Sequence, residues 1–158
     1  MEREIFGHDH DDFRASVRRF VADEISPNFE KWEEEGLTPR EVFRKAGEKN
    51  MLAMNAPEEY GGLGIDDFRF NQVIAEEGQY AGATGSMLGI TLHNDVCFPY
   101  FMEYCTDEQK ERWIPGIVDG SLITAVAMTE PGIGSDLASM STKAIRDGDH
   151  YVVDGSKT

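Results

Sequence analysis

The spacing of apolar residues in this chain changes once, at Ser121, and that change constrains what the chain can fold into. Over residues 9–120, apolar side chains recur every three to four positions with charged residues between them, a pattern typical of amphipathic helices. From Ser121 onward the pattern becomes that of short strands separated by turns. The sequence therefore predicts an all-α amino-terminal domain at 1–120 and the opening strands of a β-domain at 121–158.

Local signals predict where several of the helices begin and end. Pro27 interrupts the first helical segment, because proline cannot continue a helix interior, and Gly36 ends the segment that follows. Two capping boxes are predicted, one opening at Thr38 and one at Thr106, each with a Glu or Gln three residues later. The stretch 83–104 contains no Lys or Arg, which predicts a helix that is buried on most of its sides.

Glycine and proline mark special positions in and near that buried helix. Gly82, Gly85 and Gly89 fall along one edge of it, where the lack of a side chain lets another group approach closely. Pro99 predicts a kink in its later part.

The β-patterned region contains three predicted strands. The first is the short apolar run at 122–128, the second is the alternating stretch at 141–146, and the third resumes at 151–153 after an Asp-Gly-Asp turn. The chain stops at Thr158 without a terminating pattern, so we expect this β-domain to be cut short. Three strands with an incomplete partner face do not make a stable domain.

Composition excludes some partners. The 158 residues include 30 acidic and 15 basic side chains, for a formal net charge of −15. Nucleic acids and anionic membrane surfaces both require clustered Lys and Arg, so neither is an expected partner. An anionic ligand would have to be bound by local groups such as backbone N–H donors. No apolar run reaches the length of a membrane span.

The two cysteines and the amino terminus indicate a reducing compartment. Cys97 and Cys105 fit neither a zinc-binding nor a redox spacing, so we interpret them as buried thiols. The first residues have neither a secretory nor a transit-peptide composition, which favours a cytoplasmic protein.

The segment VAMTEPGIGSD, residues 126–136, is the most informative part of the chain. A predicted strand ends at Met128, and the loop that follows combines two glycines with two hydroxyl side chains. Glycines let successive N–H groups converge on an anion, and hydroxyls donate to a ring or a phosphate. From the residues alone, a cofactor loop and an ordinary glycine-rich connection are equally open. A dinucleotide-binding fingerprint is excluded, because the third glycine and the following helix are missing.

Several longer strings resemble one family. AMTEPGIGSDLASMSTKAIRDGDHYVVDGSKT, residues 127–158, is very similar to the signature of the acyl-CoA dehydrogenases. PEEYGGLGID and TDEQKERWIPGIVDG match the same family, and the resemblance spans nearly the whole chain. The start IFGHDHDDFRASVRRF and the AVAMTEPGIGSDL core look closest to the long-chain type. The resemblance implies an α-helical bundle domain followed by the first strands of a β-barrel domain, with a carboxy-terminal helical domain absent from this chain.

The resemblance also implies an activity. Family members use FAD to oxidise medium- or long-chain fatty acyl-CoA thioesters to trans-2-enoyl-CoA in β-oxidation. A glutamate of the carboxy-terminal domain removes the α-proton, FAD accepts the β-hydride, and an electron-transfer flavoprotein receives the electrons. The intact protein would be a homotetramer, arranged as a dimer of dimers, in the bacterial cytoplasm or, after loss of a transit peptide, in the mitochondrial matrix. This chain has no candidate for the base, so we expect it to be inactive alone.

By the same resemblance, the loop and the strand before it contact FAD. Thr129 would bond the reactive edge of the flavin ring, and Gly134 and Ser135 would approach the pyrophosphate, with Ser135 also touching the CoA part of the substrate. Ile133 replaces the alanine usual between the two glycines, a mild departure. The full predicted cofactor set is Val126, Ala127, Met128, Thr129, Gly132, Gly134 and Ser135.

Four residues of the buried helix, Ser86, Met87, Gly89 and Ile90, are candidates for lining the acyl chain, and plain core packing is an equally open reading of each.

Three other features have simpler explanations than catalysis. His8, His10 and the adjacent aspartates resemble a metal cluster, but solvated residues that cap a helix explain them better, so no metal is expected. His93 lies in the buried helix and is interpreted as a hydrogen-bonded core histidine. Glu130 belongs to the loop motif and is assigned a structural role.

Alternatives from other classes remain at this point. An acyl-CoA oxidase or a flavin monooxygenase could use the same scaffold. A short protein that binds a partner without catalysis is the other alternative. Oxygen reactivity of the reduced flavin would separate the first two from a dehydrogenase, and a stable flavin-free monomer would indicate the third.

Overall fold

Helical structure dominates the first of two units in the computed structural model, which describes residues 4–158. The units are Met1–Ala125 and Val126–Thr158. The predicted domain limits, 1–120 and 121–158, stay predictions. The α-helical domain followed by the first strands of a β-domain is confirmed as the fold class.

Within residues 4–125 the first unit contains seven α-helices. They are α1 (His8–Phe20), α2 (Phe29–Glu35), α3 (Arg40–Glu48), α4 (Arg69–Tyr80), α5 (Thr84–Thr91), α6 (Phe98–Tyr104) and α7 (Asp107–Val118), with a 3-10 turn at Glu58–Tyr60.

Two π-helical segments join or extend these helices. Val21–Ile25 follows α1 directly, and Leu92–Cys97 connects α5 to α6 without a break. Pro99 lies in the first turn of α6, just after the second segment. A proline ring clashes with the carbonyl four residues earlier, and that carbonyl belongs to Asp95, inside the wider turn. The helical rod predicted over 83–104 therefore forms, and its irregularity begins several residues before Pro99.

The helix ends agree with the sequence at two positions and differ at one. Gly36 ends α2 with φ +66°, and Thr106 and Gln109 form the predicted reciprocal capping box at the start of α7. The capping box predicted at Thr38 is wrong. Pro39 is extended, with ψ 145°, so α3 begins at Arg40 and no side chain caps it. Thr38 lies one residue too early to reach the N–H groups of the first turn.

The main core of the first unit lies between α1, α3, α4 and α5. Val17, Phe43, Ile74 and Ile90, one from each helix, are all at most 6% exposed. Each such side chain stabilises the fold by roughly 1.5–3 kcal/mol relative to an exposed position. A smaller cluster, Phe98, Ile114, Ile117, Ala53 and Ala56, joins α6 and α7 to the loop that follows α3.

One close backbone approach joins two of these helices. A Cβ added to Gly47 in α3 would lie 2.5 Å from the carbonyl of Asp119, which follows α7. The absence of a side chain at this position lets the two segments touch.

The second unit contains one β-hairpin, among the residues described. β1 (Lys143–Asp147) and β2 (His150–Asp154) pair antiparallel, with Ile145 opposite Val152. The predicted turn between them is confirmed, with Gly148 at φ +65°. Both faces of the hairpin carry exposed apolar side chains, such as Ile145 at 64% and Val153 at 68%.

The strand predicted at 122–128 is not formed. Residues 122–128 belong to no helix or strand, and the N–H of Thr124 donates to the ring of His93 instead of to a neighbouring strand. A strand requires a hydrogen-bonded partner, and β1 and β2 pair with each other. No helix among residues 4–158 is long and apolar enough to cross a membrane.

Candidate functional site

A tight turn organises the loop that the sequence singles out. The N–H of Glu130 donates to the carbonyl of Ile133 at 3.3 Å, and the N–H of Ile133 donates back to the carbonyl of Glu130 at 3.0 Å. Pro131 and Gly132 form the tip between them. Proline fixes its own φ and glycine imposes no steric limit, so this pair suits a tight reversal of the chain.

The carboxylate of Glu130, at the start of this turn, is buried and accepts four hydrogen bonds. Three come from one short segment: the N–H of Ser141 at 2.8 Å, its hydroxyl at 2.7 Å, and the N–H of Thr142 at 3.0 Å. The fourth is the ammonium of Lys157, at 3.0 Å. Thr142 and Ser141, with a smaller effect of Lys157, hold the pKa of this carboxyl well below its usual range. The structural role assigned to Glu130 fits these contacts.

Lys157 and Thr158 also bind the backbone just before Glu130. The ammonium of Lys157 donates to the carbonyl of Met128 at 3.3 Å, and the N–H of Thr158 donates to the carbonyl of Thr129 at 2.9 Å. The sequence alone does not reveal this role of Lys157. No spacing rule connects it to Glu130, because 27 positions separate the two residues.

The outer side of the loop keeps unused donors. Among residues 4–158, the hydroxyls of Thr129 and Ser135 and the N–H groups of Gly132 and Gly134 make no hydrogen bond to protein. All four residues are exposed, and a Cβ added at either glycine would meet nothing within 4 Å. Exposed N–H and hydroxyl donors without a protein partner suit a phosphate or the polar edge of a ring. The residues present therefore fit the FAD that the resemblance implies.

The predicted cofactor residues all belong to the second unit. Val126, Ala127, Met128, Thr129, Gly132, Gly134 and Ser135 lie within one loop and the segment leading into it. Met128 and Val126 are half-buried, and the other five are exposed. Their individual contacts with a flavin stay predictions.

The four acyl-chain candidates all lie on α5 in the first unit. Met87 and Ile90 are 3% and 1% exposed and belong to its main core, where Met87 packs against Gly78 of α4. Gly89 is half-buried, and an added Cβ would lie 3.1 Å from the ring of Phe43. These contacts favour core packing for Met87 and Ile90, and a role in substrate binding stays a prediction for all four candidates.

Ser86 differs from its neighbours on α5. Its side chain is buried, and its hydroxyl makes no hydrogen bond within the described chain.

His93 lies in the core with both ring nitrogens bonded. Nε2 lies 3.0 Å from the carbonyl of Ile117, while Nδ1 lies 2.9 Å from the hydroxyl of Thr124 and accepts from its N–H. Because a carbonyl only accepts, Nε2 carries the proton and Nδ1 is the acceptor. Burial lowers the pKa of this ring, and the bond to Ile117 opposes the effect. These contacts agree with the interpretation of His93 as a core histidine.

His10 is also a structural residue, but it is not solvated as predicted. Its Nδ1 accepts from the N–H of Gly7 at 3.1 Å, which caps α1, and its ring stacks on Phe70 with centroids 4.4 Å apart. Its Nε2 lies 3.2 Å from Asp67. The aromatic ring of Phe70, three residues beyond that aspartate, gives the imidazole an apolar surface to cover, so His10 is only 6% exposed. Residues 4–158 include no group of three His, Cys, Asp or Glu that could hold a metal ion.

Comparison with known proteins identifies the family. The family model described as "Acyl-CoA dehydrogenase, N-terminal domain" matches residues 7–121. The chain belongs to the acyl-CoA dehydrogenase family. It is 44% identical, over 155 residues, to the mitochondrial long-chain specific acyl-CoA dehydrogenase of Mus musculus. That alignment covers 98% of this chain and 35% of the mouse protein, so the chain spans about a third of the length of this relative.

Solved structures of acyl-CoA dehydrogenases have the same fold. The acyl-CoA dehydrogenase from Geobacillus kaustophilus matches with a TM-score of 0.92 at 46% identity, covering 99% of this chain and 40% of that one. A glutaryl-CoA dehydrogenase from Mycobacterium smegmatis, in complex with FADH2, matches with a TM-score of 0.87 at 29% identity. The latter match covers 96% of this chain and 39% of that one.

Proposed function

We propose that this chain is the amino-terminal part of an FAD-dependent acyl-CoA dehydrogenase that oxidises medium- or long-chain acyl-CoA to trans-2-enoyl-CoA. The observation that carries the proposal is the loop at 129–135, whose exposed donors make no bond to protein among residues 4–158 while Glu130 anchors the loop to Ser141, Thr142 and Lys157. The likeness to the mouse long-chain enzyme supports the substrate class, and the FADH2 complex of the M. smegmatis relative supports the cofactor.

The loop residues would bind and orient the cofactor. The N–H groups of Gly132 and Gly134 suit the pyrophosphate, because glycines let the backbone approach an anion closely. The exposed hydroxyl of Thr129 suits a polar edge of the ring, and that of Ser135 suits the phosphates of FAD and of CoA. When bound, FAD supplies the hydride acceptor for the oxidation.

These local donors are needed because of the charge of the chain. A net charge of −15 repels polyanions such as FAD and CoA at long range. Affinity must therefore come from short-range N–H and hydroxyl contacts. Screening by dissolved salt weakens such contacts little once they are shielded from solvent.

The remaining predicted partners are part of the same proposal. An electron-transfer flavoprotein would take the electrons, and the full-length protein would be a homotetramer that acts in β-oxidation. The mouse relative is described as mitochondrial, so the predicted compartments, bacterial cytoplasm or mitochondrial matrix, are both kept.

The deciding experiment uses the purified full-length protein. We expect the visible absorption bands of oxidised flavin and their anaerobic bleaching by octanoyl-CoA or palmitoyl-CoA. Slow reoxidation by air would indicate a dehydrogenase, whereas fast reoxidation with release of hydrogen peroxide would indicate an oxidase. A protein without flavin, which also fails to take up added FAD, would refute the proposal.

Thr129→Val tests the loop within that protein. The substitution keeps the shape of the side chain and removes the hydroxyl, so we expect a shifted flavin spectrum and roughly tenfold weaker FAD binding, the effect of one lost hydrogen bond. Thr38→Val is the matched control, because the Thr38 side chain makes no capping bond and lies in the first unit. An unchanged spectrum in Thr129→Val would remove Thr129 from the site.

A further inference from the structure

We propose that Glu130 is the positioning residue of the flavin loop, holding Thr129 in place through a network completed by Lys157 and Thr158. This inference rests on the proposed function. It adds a role for residues that do not themselves face the cofactor.

The backbone around Thr129 is held on both sides. Before it, the carbonyl of Met128 accepts a hydrogen bond from Lys157. The carbonyl of Thr129 itself accepts a hydrogen bond from the N–H of Thr158. After it, the carboxylate of Glu130 is anchored by Ser141. The hydroxyl of Thr129 takes no part in these bonds.

Glu130 is a poor candidate for direct contact with a ligand. It is 4% exposed, and its two oxygens already accept four hydrogen bonds. A carboxylate in this state acts through the backbone that it holds. Fixing the loop before FAD arrives lowers the entropy lost on binding, which raises affinity without any added contact.

The ion pair is central to the network because Lys157 serves two acceptors. Its ammonium donates to the carboxylate of Glu130 and to the carbonyl of Met128. It therefore links the two residues on either side of Thr129. Charge-assisted hydrogen bonds of this kind are about twice as strong as neutral ones. Removing either charge therefore frees the same stretch of backbone.

The test uses the full-length protein with three variants: Glu130→Gln, Lys157→Met and the double variant. We expect each single variant to bind FAD at least about tenfold more weakly, the loss that corresponds to one charge-assisted hydrogen bond. The visible circular dichroism of bound flavin should change as well. The double variant should bind about as weakly as either single variant, because both remove the same network.

Two further variants give the controls. Lys157→Arg keeps the charge and should restore most of the FAD affinity lost in Lys157→Met. Asp154→Asn removes a carboxylate from β2 in the same unit, where it makes no ion pair or hydrogen bond through its side chain within the described chain, and should bind FAD as the unmodified protein does.

The outcomes separate this inference from the proposed function. If the unmodified protein does not bind FAD, the proposed function fails and this inference fails with it. If it binds FAD, but Glu130→Gln and Lys157→Met bind as tightly as Asp154→Asn with unchanged dichroism, only this inference is overturned. Should Glu130→Gln not fold, Lys157→Met decides, because the Lys157 side chain is 28% exposed and its loss leaves Glu130 with the three hydrogen bonds from Ser141 and Thr142.

Discussion

Glu77 is a buried carboxylate on α4, and two arginines of α1 surround it. Arg14 donates at 3.0 Å, and Arg18 donates at 2.8 and 3.1 Å in a two-pronged contact. Burial raises the pKa of Glu77, but the hydrogen bonds from Arg18 and Arg14 outweigh it, so the pKa lies below its usual range. The three side chains therefore link α1 to α4. The ionised form of Glu77 is favoured in the core because Arg14 and Arg18 both donate to it.

Glu77→Ala should destabilise the protein by about 3 kcal/mol, the low end for breaking a buried ion pair, since Arg18 can turn back into solvent. Urea denaturation at neutral pH measures the change. Glu34→Ala is the control, because Glu34 is exposed on α2 and should change the free energy of unfolding by less than about 0.5 kcal/mol. Equal effects of the two substitutions would contradict the assigned role.

His93 makes the stability of the fold sensitive to mild acid. Its folded pKa is lowered, whereas the unfolded chain takes up a proton near pH 6.5, so unfolding binds a proton below that pH. Stability is fully present above pH 6.5 and falls by up to about 1.4 kcal/mol per pH unit below it. Urea denaturation between about pH 7.5 and about pH 5.5 measures this slope, because the range spans the pKa of an unperturbed histidine, about 6.5.

The matched variants separate His93 from other groups. His93→Gln should be less stable at neutral pH, but it should lose most of the slope between these two pH values. His8→Gln is the matched control for the substitution itself, because the His8 side chain is 85% exposed, and it should leave the free energy of unfolding at neutral pH almost unchanged. An identical slope in His93→Gln would assign the acid sensitivity elsewhere.

At the scale of elements, glycine positions decide how closely the helices approach. Gly47 in α3 and Gly85 in α5 both lie inside helices, where alanine is normally better by up to about 1 kcal/mol. Their surroundings differ. The added Cβ would meet the backbone of Asp119 at Gly47, but only the flexible carboxylate end of Glu33 at Gly85.

Gly47→Ala should therefore destabilise the protein by about 2–3 kcal/mol, because the end of α7 must move away from α3. Gly85→Ala should be neutral or stabilising by about 0.5 kcal/mol, since the Glu33 side chain can turn aside. Thermal unfolding of both variants measures the difference. A stabilising Gly47→Ala would mean that the two segments separate at little cost.

The helices and their ends could be predicted where the signal is local. Thr106 and Gln109 bond each other's backbone N–H groups and lie only three residues apart. Their sequence pattern was therefore sufficient to predict the start of α7. The same pattern failed at Thr38, because the extended backbone of Pro39 moved the start of α3. The strand at 122–128 failed for another reason: pairing depends on a neighbour that the segment's own residues do not specify.

The candidate site was predictable in part for the same reason. The glycines and hydroxyls of the loop are adjacent in sequence, so residues 129–135 could be singled out directly. The anchor beneath them is not local. Glu130 binds residues 11 and 12 positions ahead and Lys157, 27 positions ahead, and only the folded chain brings these groups together.

At the scale of the whole molecule, the two units differ in how much apolar surface they bury. The first has a core drawn from most of its helices, whereas β1 and β2 of the second are exposed at every position. A two-stranded hairpin without a covered face is at most marginally stable in water. Local opening should therefore be far easier in the hairpin than in the helical core.

Hydrogen exchange of the 158-residue chain tests this difference. Backbone amides of β1 and β2 should exchange close to the rate of an unstructured peptide, while those of α1 and α4 should be protected by several kcal/mol, about the global stability of a small domain. Mass spectrometry of peptic peptides resolves the two units. Equal protection in the hairpin and in α4 would contradict the expectation.

The bond between Glu130 and Lys157 also has a consequence for biosynthesis. A ribosome adds about 5–20 residues per second, so the 27 positions that separate the two residues take on the order of a few seconds to make. During that interval the nascent loop already has its glycines and hydroxyls, but it lacks the ammonium that holds Met128 and Glu130 together. The bonds that Lys157 makes to Met128 and Glu130 can therefore form only after the helices of the first unit, which are made earlier, have had time to pack.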